Sequence, residues 1–261
     1  MAERKATQLS SLQFVLVAAA LSQCLLSPLS AAPASKGNGM VDAVKLTQTH
    51  FYWGETETTV SQKGIRISNQ GRQKFTLVAA SPSWTVTIFR DDDRTYIRES
   101  LAQYESTGIV SALVLNKPER TERYKGLPQK MKIGDRLVDA IRGNREEFAK
   151  LPLGNIAAPE VERILSTTYR LPTDQGIPLF FTKKQQGIDR MSGLDKTGER
   201  RIYLKTSKIE NIRVSPSIFT APSGYRLCKS MQEVVLSKAN REASGDFDEM
   251  FEAGQNSRKN K

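Results

Sequence analysis

The chain has 261 residues, 38% hydrophobic and 26% charged, a balance that suits one globular domain with terminal additions and is too apolar for a wholly disordered chain. Two cysteines and one histidine exclude a disulfide-built scaffold and zinc sites assembled from His and Cys. A net charge of +11 suits contact with a polyanion, yet the basic residues are dispersed and never form a run of five, so a solvated basic surface is the plainer reading.

Residues 1–34 read as a secretory signal. Arg4 and Lys5 precede the apolar run 14–21, and small residues follow at Ser30, Ala31, Ala32 and Ala34. Cleavage near Ala32 or Ala34 would deliver the rest to the periplasm or the exterior. Ser22-Gln23 and Ser27-Pro28 interrupt the run, which leaves it short for a membrane span. Gln23 is too large to precede a lipid-modified cysteine, which argues against an anchor at Cys24. Removing the signal leaves Cys228 as the one thiol, so no internal disulfide is expected. Residues 35–40 are Gly-rich and polar, a linker. A single domain is expected over 41–239, followed by a polar, disordered tail over 240–261.

Residues 41–98 have the pattern of an antiparallel meander. Val44 and Leu46, continued by Phe51, Tyr52 and Trp53, predict a first strand that Gly54 ends. Residues 56–60 are rich in β-formers, residues 64–68 alternate, and Asn69-Gln70-Gly71-Arg72 supplies a turn. Phe75, Leu77 and Ala79 continue on odd positions. After Pro82, Trp84, Val86 and Ile88 mark one face of the next strand. Asp91-Asp92-Asp93 is a turn, and residues 95–98 form the return strand. Short connections place sequence neighbours side by side.

The period then changes. Ser100 and Gln103 fit a capping box, and Leu101, Tyr104, Ile109 and Ala112 share a helical face. Gly108 leaves residues 109–115 open to a strand reading. Residues 117–126 are a charged loop. Ile133, Leu137, Ile141 and Phe148 recur at helical spacing and predict a further helix. Pro159 opens another, with Val161, Ile164, Leu165 and Thr168 as its buried stripe. Ile177, Leu179 and Phe181 alternate again, and residues 186–188 and 194–198 read as turns.

Residues 200–227 carry the clearest pattern. Ile202, Leu204, Ile212 and Val214 all fall on even positions between basic residues, which predicts one strand, or two joined by a bend, with a single buried face. It is expected to be the closing strand of a curved sheet. Phe219 and Tyr225 are its expected anchors, with Pro222 and Gly224 setting the chain's exit. Met231, Val234 and Val235 fit a final short helix or strand. A meander, then helices, then more strand gives an α+β fold: a curved antiparallel sheet, or half-barrel, covered on one face by two or three helices. Such a shape leaves room for an apolar cleft between sheet and helices. Phe51, Trp53, Trp84, Ile88, Leu179, Phe181 and Leu204 are the candidates to line it or to form the core.

Catalytic and metal chemistry find little footing. His50 stands without a Gly-x-Ser-x-Gly elbow, so a structural histidine is the better reading than a general base. Asp91, Asp92 and Asp93 lack the ligand spacing of a calcium loop. Glu55 and Glu57 share a strand face, but nothing else marks a sugar cleft. Phe51, Tyr52 and Trp53 form the densest aromatic cluster, read as core packing or as the wall of a lipid cleft. No nucleic-acid recognition motif accompanies them. No cofactor, metal or nucleic-acid partner is expected.

The signal, the meander, the central helices and the ending Phe219-Thr220-Ala221-Pro222-Ser223-Gly224-Tyr225 together resemble the outer-membrane lipoprotein carrier superfamily, periplasmic half-barrels that shuttle acylated lipoproteins. The resemblance spans residues 41–235. It implies lipid chains held between sheet and helices, without cofactor or catalysis. Residues 117–127 and 127–157 look like additions to that pattern, and no ligand-contacting residue of the carriers maps onto a position here. The expectation is a non-catalytic extracytoplasmic binding or carrier protein for a hydrophobic ligand, such as a lipid or the acyl chain of a lipidated protein. The alternative is a basic envelope protein that binds anionic lipid headgroups or cell-wall polymers by charge. A hydrolase is the weakest reading.

Overall fold

Alternation over residues 41–99 becomes six consecutive strands in a computed structural model that describes residues 39–71, 73–113, 124–187 and 194–235. They are β1 (Val41–His50), β2 (Gly54–Val60), β3 (Gly64–Asn69), β4 (Phe75–Ala80), β5 (Val86–Arg90) and β6 (Thr95–Glu99). Each pairs antiparallel with the next, as the short connections predict. The expected signal over residues 1–34, residues 35–38 of the expected linker, most of the charged loop 117–126, Ile188 and the expected tail 240–261 lie outside the described residues.

Residues 127–152 correct the sequence reading. They form no helix but three strands, β7 (Leu127–Ile133), β8 (Arg136–Arg142) and β9 (Glu146–Pro152). Gly134-Asp135 closes the first hairpin, with Gly134 at φ 58°, a conformation glycine adopts without steric cost. The helical spacing of Ile133, Leu137 and Ile141 is a coincidence of register. Val138 and Ala140 are the buried face of β8, and Leu137 is exposed.

β10 (Gly176–Lys184) and β11 (Arg200–Val214) complete the main sheet, and the two-residue β12 (Arg226–Leu227) pairs parallel with β6. The strand order is β12-β6-β5-β4-β3-β2-β1-β11-β10-β9-β8-β7, one open, curved sheet of 12 strands. β11 is therefore not the closing strand. It lies inside the sheet, between β1 and β10, and joins the N-terminal meander to the β7–β10 group.

The single buried face expected for β11 is also corrected. Thr206 pairs with Gln48 and Lys208 with Thr47, so Ser207 is an extra residue, a β-bulge. An extra residue reverses the side-chain parity beyond it. Leu204 and Thr206 face inward opposite His50 and Gln48. Beyond the bulge, Ile209 and Asn211 take the inward positions opposite Leu46 and Val44, and Ile212 and Val214 turn to the other face. The β7–β8 turn reaches back to this bulge: a Cβ on Gly134 would lie 3.5 Å from the Ser207 carbonyl oxygen.

Three helices pack on the inward face: α1 (Leu101–Leu113), α2 (Pro159–Tyr169) and α3 (Met231–Val235). The capping box of α1 is formed: the Gln103 N–H donates to Ser100 Oγ at 3.3 Å, and the Ser100 N–H to Gln103 Oε1 at 3.0 Å. Gly108 breaks α1 at φ 59°, and the helix resumes beyond it to Leu113. There α1 crosses α2 closely, since a Cβ on Gly108 would lie 3.2 Å from Thr167 Cγ2. α2 begins with Pro159 in its first turn and buries Val161, Ile164, Leu165 and Tyr169.

After β11 the chain crosses the outer face of the meander. The 3₁₀ turn Pro216–Phe219 drops Phe219 onto Gly64, where a Cβ would lie 2.5 Å from Phe219 Cγ. Tyr225 donates to Asp91 Oδ1 at 2.7 Å and meets the Phe89 ring edge-on. With helices inside and this segment outside, every residue of β5 is buried. That is why both its faces carry apolar side chains, Val86 and Ile88 on one and Phe89 on the other.

Candidate functional site

The inward face of β1 carries Val44, Leu46, Gln48 and His50 in alternation, all buried. Two of the four are polar, so their hydrogen bonds must be found inside the protein. They are. Thr58 Oγ1 and the Tyr169 hydroxyl lie 2.6 Å apart, and Tyr169 donates on to Gln48 Oε1 at 3.1 Å. Gln48 Nε2 donates to the Pro178 carbonyl at 3.0 Å and to Thr206 Oγ1 at 2.9 Å, and Thr206 donates to the Leu179 carbonyl at 2.6 Å. This relay ties β2, α2, β1, β11 and β10 together through groups with no access to water. Burial pushes the Tyr169 phenol above the usual tyrosine range. At this level the space between sheet and helix is filled by the protein's own side chains.

His50 belongs to the same layer. Its Nε2 lies 3.1 Å from the Tyr169 carbonyl, an acceptor, so Nε2 carries the proton. Nδ1 then accepts from the Tyr52 N–H at 3.4 Å. Burial lowers its pKa to about 4, against the smaller raising effect of the Tyr169 carbonyl. Both nitrogens are committed to backbone groups, and neither is left to act as a general base.

Room opens where β1 and β11 run past the start of α2. A pocket of ≈ 440 Å³ lies between residues 42–44 of β1, residues 211–213 of β11, and Asn155 and Ile156 in the turn that leads into the helix. Val44 and Ile156 are apolar lining residues, and Ala43 and Ile212, a pair whose side chains take the other face of the sheet, border the same space. Asp42 and Arg213, 3.7 Å apart and both largely exposed, stand among the polar lining residues.

The opposite end of β1 is aromatic. Rings follow one another from Phe148 to Phe181 (6.4 Å), Tyr203 (5.8 Å), Phe51 (5.6 Å), Tyr52 (5.0 Å), His50 (5.7 Å) and Tyr169 (5.1 Å). The series begins and ends in the core and surfaces in the middle. Phe51 and Tyr52 are not strand residues, as the sequence suggested, but the turn between β1 and β2, 47% and 48% exposed. The Arg201 guanidinium sits 4.9 Å from the Phe51 centroid, in cation–π contact. Trp53, also in the turn, is buried, and its indole N–H donates to the Thr168 carbonyl at 3.3 Å.

The structure thus separates the candidate cleft residues. Trp53, Ile88, Leu179, Phe181 and Leu204 are buried in the core, and Phe181 pairs across strands with both Leu204 and Phe148. Trp84 is buried in the turn before β5, at φ 50°, and not in the strand. Phe51 alone is at the surface. Phe219 is buried, Tyr225 is half-buried, and Pro222 and Gly224 are exposed, with Gly224 at φ 77°. None of these lines the ≈ 440 Å³ pocket. Its residues passed unnoticed because only the bulge at Ser207 and the turn before Pro159 bring them together. The relay did leave a signal: Gln48 is a polar residue at an inward position between Leu46 and His50.

Among the described residues, no three His, Cys, Asp or Glu side chains converge as metal ligands. No described helix is long and apolar enough to cross a membrane. Asp91, Asp92 and Asp93 form the β5–β6 turn, and Asp92 is held below the usual carboxylate range by its hydrogen bond from Arg90. Cys228 is a free, buried thiol whose pKa is raised by burial. No protein-family model and no curated protein matches the chain.

Proposed function

We propose that the protein is an extracytoplasmic, non-catalytic binding or carrier protein that takes the end of a hydrophobic ligand, such as a lipid or a lipoprotein acyl chain. The observation that carries this reading is the ≈ 440 Å³ pocket where β1 and β11 meet the turn into α2. Its size falls within the roughly 300–1,000 Å³ of small-molecule sites, and apolar walls with a few polar groups are the lining such sites use. In this reading the curved sheet works as a half-barrel. Its middle is sealed by Tyr169 and its partners, and only the end beyond α2 admits a ligand. The resemblance of the signal, meander and Phe219–Tyr225 ending to lipoprotein carriers supports the same class.

Native mass spectrometry of protein purified from a host envelope tests it. The expected spectrum carries an adduct of lipid mass that organic extraction removes. Ile156→Trp fills the pocket and is expected to abolish the adduct while the thermal midpoint stays within a few degrees. A chain that never carries lipid and takes up no fluorescent fatty acid in solution is not a carrier. Intact-mass measurement of the exported chain, expected to start at Pro33 or Ser35, tests the localisation.

A further inference from the structure

Antiparallel pairing puts the strand termini of the sheet at two ends. The C-termini of β1, β3, β5, β8 and β10 share one end with the N-termini of β2, β4, β6, β7, β9 and β11, and parallel β12 brings its own N-terminus there too. The large hydrophobic side chains left exposed are distributed unequally. Phe51, Tyr52, Leu127, Leu194, Ile202 and Leu227 all lie at this end, whereas Met40 and Leu137 lie at the other. The first group is spaced from one edge of the sheet to the other: Leu227 on β12, Phe51, Tyr52 and Ile202 at the β1–β11 centre, and Leu127 on β7.

The charge at this end completes the picture. Lys125, Arg145 and Lys184 form no ion pair among the described residues. Most carboxylates nearby are already matched. Glu146 is paired with Lys183, Glu147 with Arg142 and Arg200, and Asp92 and Asp93 with Arg90. Glu199 is paired with Lys196; Asp91, which accepts from Tyr225, Asp195, which accepts from Thr197, and Glu55 form no ion pair among the described residues, against Lys74, Lys125, Arg145, Lys184 and Arg226. The free groups are thus mainly cations, beside aromatic and aliphatic tips.

The geometry points to this end of the sheet as a docking surface for an anionic lipid bilayer. Phe51, Tyr52 and Leu127 enter the interfacial layer, and Lys125, Arg145 and Lys184 meet the headgroups. Tyr52 is suited to that layer because its ring can sit among acyl chains while its hydroxyl stays wet, and Phe51 adds a wholly apolar ring beside it. Each cation held near an anionic leaflet strengthens the attraction. The chemistry selects an anionic bilayer as the occupant: cations without ion pairs stand beside exposed rings and aliphatic tips at one end of the sheet, charge for the headgroups and apolar tip for the acyl layer. The pocket opens at the opposite end of β1, so this inference stands apart from the ligand proposed for it.

Reporters with one added tryptophan in the full chain test the surface locally, because the apolar run at residues 14–21 can bring any variant to a vesicle. Phe51→Trp and Leu127→Trp report on the centre and edge of the docking end, and Leu137→Trp on the opposite end. Trp53 and Trp84 are buried and give a common background. The vesicles are phosphatidylcholine with and without phosphatidylglycerol, with brominated acyl chains as the quencher. Expected are a blue shift and quenching for the reporters at positions 51 and 127 on the anionic vesicles, little of either on neutral ones, and none for the position-137 reporter. Arg145→Glu combined with Lys184→Glu should weaken the anionic-vesicle signal by about tenfold or more. Absence of quenching at positions 51 and 127, or equal quenching at position 137, overturns the proposal. So does quenching at position 51 alone, which marks a local hydrophobic patch. A position-51 shift on oligothymidylate but not on vesicles would instead assign the rings to base stacking.

Discussion

His50 shows how one buried side chain can make stability depend on pH. The neutral ring satisfies two backbone groups, and a second proton on Nδ1 would face the Tyr52 N–H, another donor, inside a site that is 1% exposed. The folded chain therefore refuses a proton that the unfolded chain accepts below pH 6.5, down to a folded pKa of about 4. Stability is complete above pH 6.5 and falls as pH drops through that window, by about 3 kcal/mol in all. His50→Gln is expected to lower stability at pH 7 yet flatten the curve between pH 6.5 and 4. Urea titrations at several pH values measure this, and parallel curves for both proteins would rule out His50 as the source. Tyr169→Phe tests the neighbouring relay. It removes the donor to Gln48 and the partner of Thr58 without changing the packing. The expected cost is about 1–3 kcal/mol, the penalty of leaving buried polar groups unmatched. Thr58→Val in the same background should recover part of it.

At the scale of elements, the Ser207 bulge decides which residues of β11 face the helices. Inserting one residue after Lys208 would force Ile209 and Asn211 outward and put the inserted residue and Glu210 inward against Leu46 and Val44, or break the ladder to β1. Ser207→Ala keeps the extra residue and loses only its hydrogen bond to the Thr47 carbonyl, 3.2 Å away. The insertion is expected to unfold the protein or lower its melting point far more than the alanine variant does. Near-equal melting points would show that the inward register beyond the bulge is dispensable. The same bulge marks where the sequence stopped being legible. Within one strand, alternation is a local signal, and β2 to β6 could be read from it almost residue by residue. The even-numbered run from Ile202 to Val214 looked like one face because nothing local announces an inserted residue. Its cause is the partner strand. The misread helix over 133–148 has a different origin. Ile133, Leu137 and Ile141 satisfy helical spacing, but Gly134-Asp135 and Gly143-Asn144 are hairpin signals, and strand pairing overrode the spacing. The pocket was out of reach for both reasons together, since the bulge sets its β11 wall and the turn before α2 sets the rest.

At the scale of the whole molecule, the sheet consists of two groups of strands that meet along β1 and β11. The β1–β6 meander is covered on both faces, by α1 and α3 inside and by the segment carrying Phe219 and Tyr225 outside. The β7–β10 group thins toward its edge, where most of β7 is exposed or half-buried and Ile133 alone is buried. Local opening should follow that gradient, because it costs least where few apolar contacts are lost. Amide hydrogen exchange is therefore expected to be slowest for Leu46 and Gln48 in β1 and for Leu204 and Thr206 in β11. Leu46, Gln48 and Leu204 pair on both sides, and Gln48 and Thr206 share the buried relay. The amides of β7 and β8 should exchange faster, as a group, by an opening that leaves β1 and β11 paired. Tyr169→Phe would speed exchange at the seam more than at β7, since the relay it breaks crosses β1, β11 and β10 but not the edge. Uniform protection across all strands would mean that the sheet opens only as one unit. In that case Leu127, at the exposed corner of β7, would be held as firmly as Phe51 at the centre, and any surface that contacts both would meet a rigid rim.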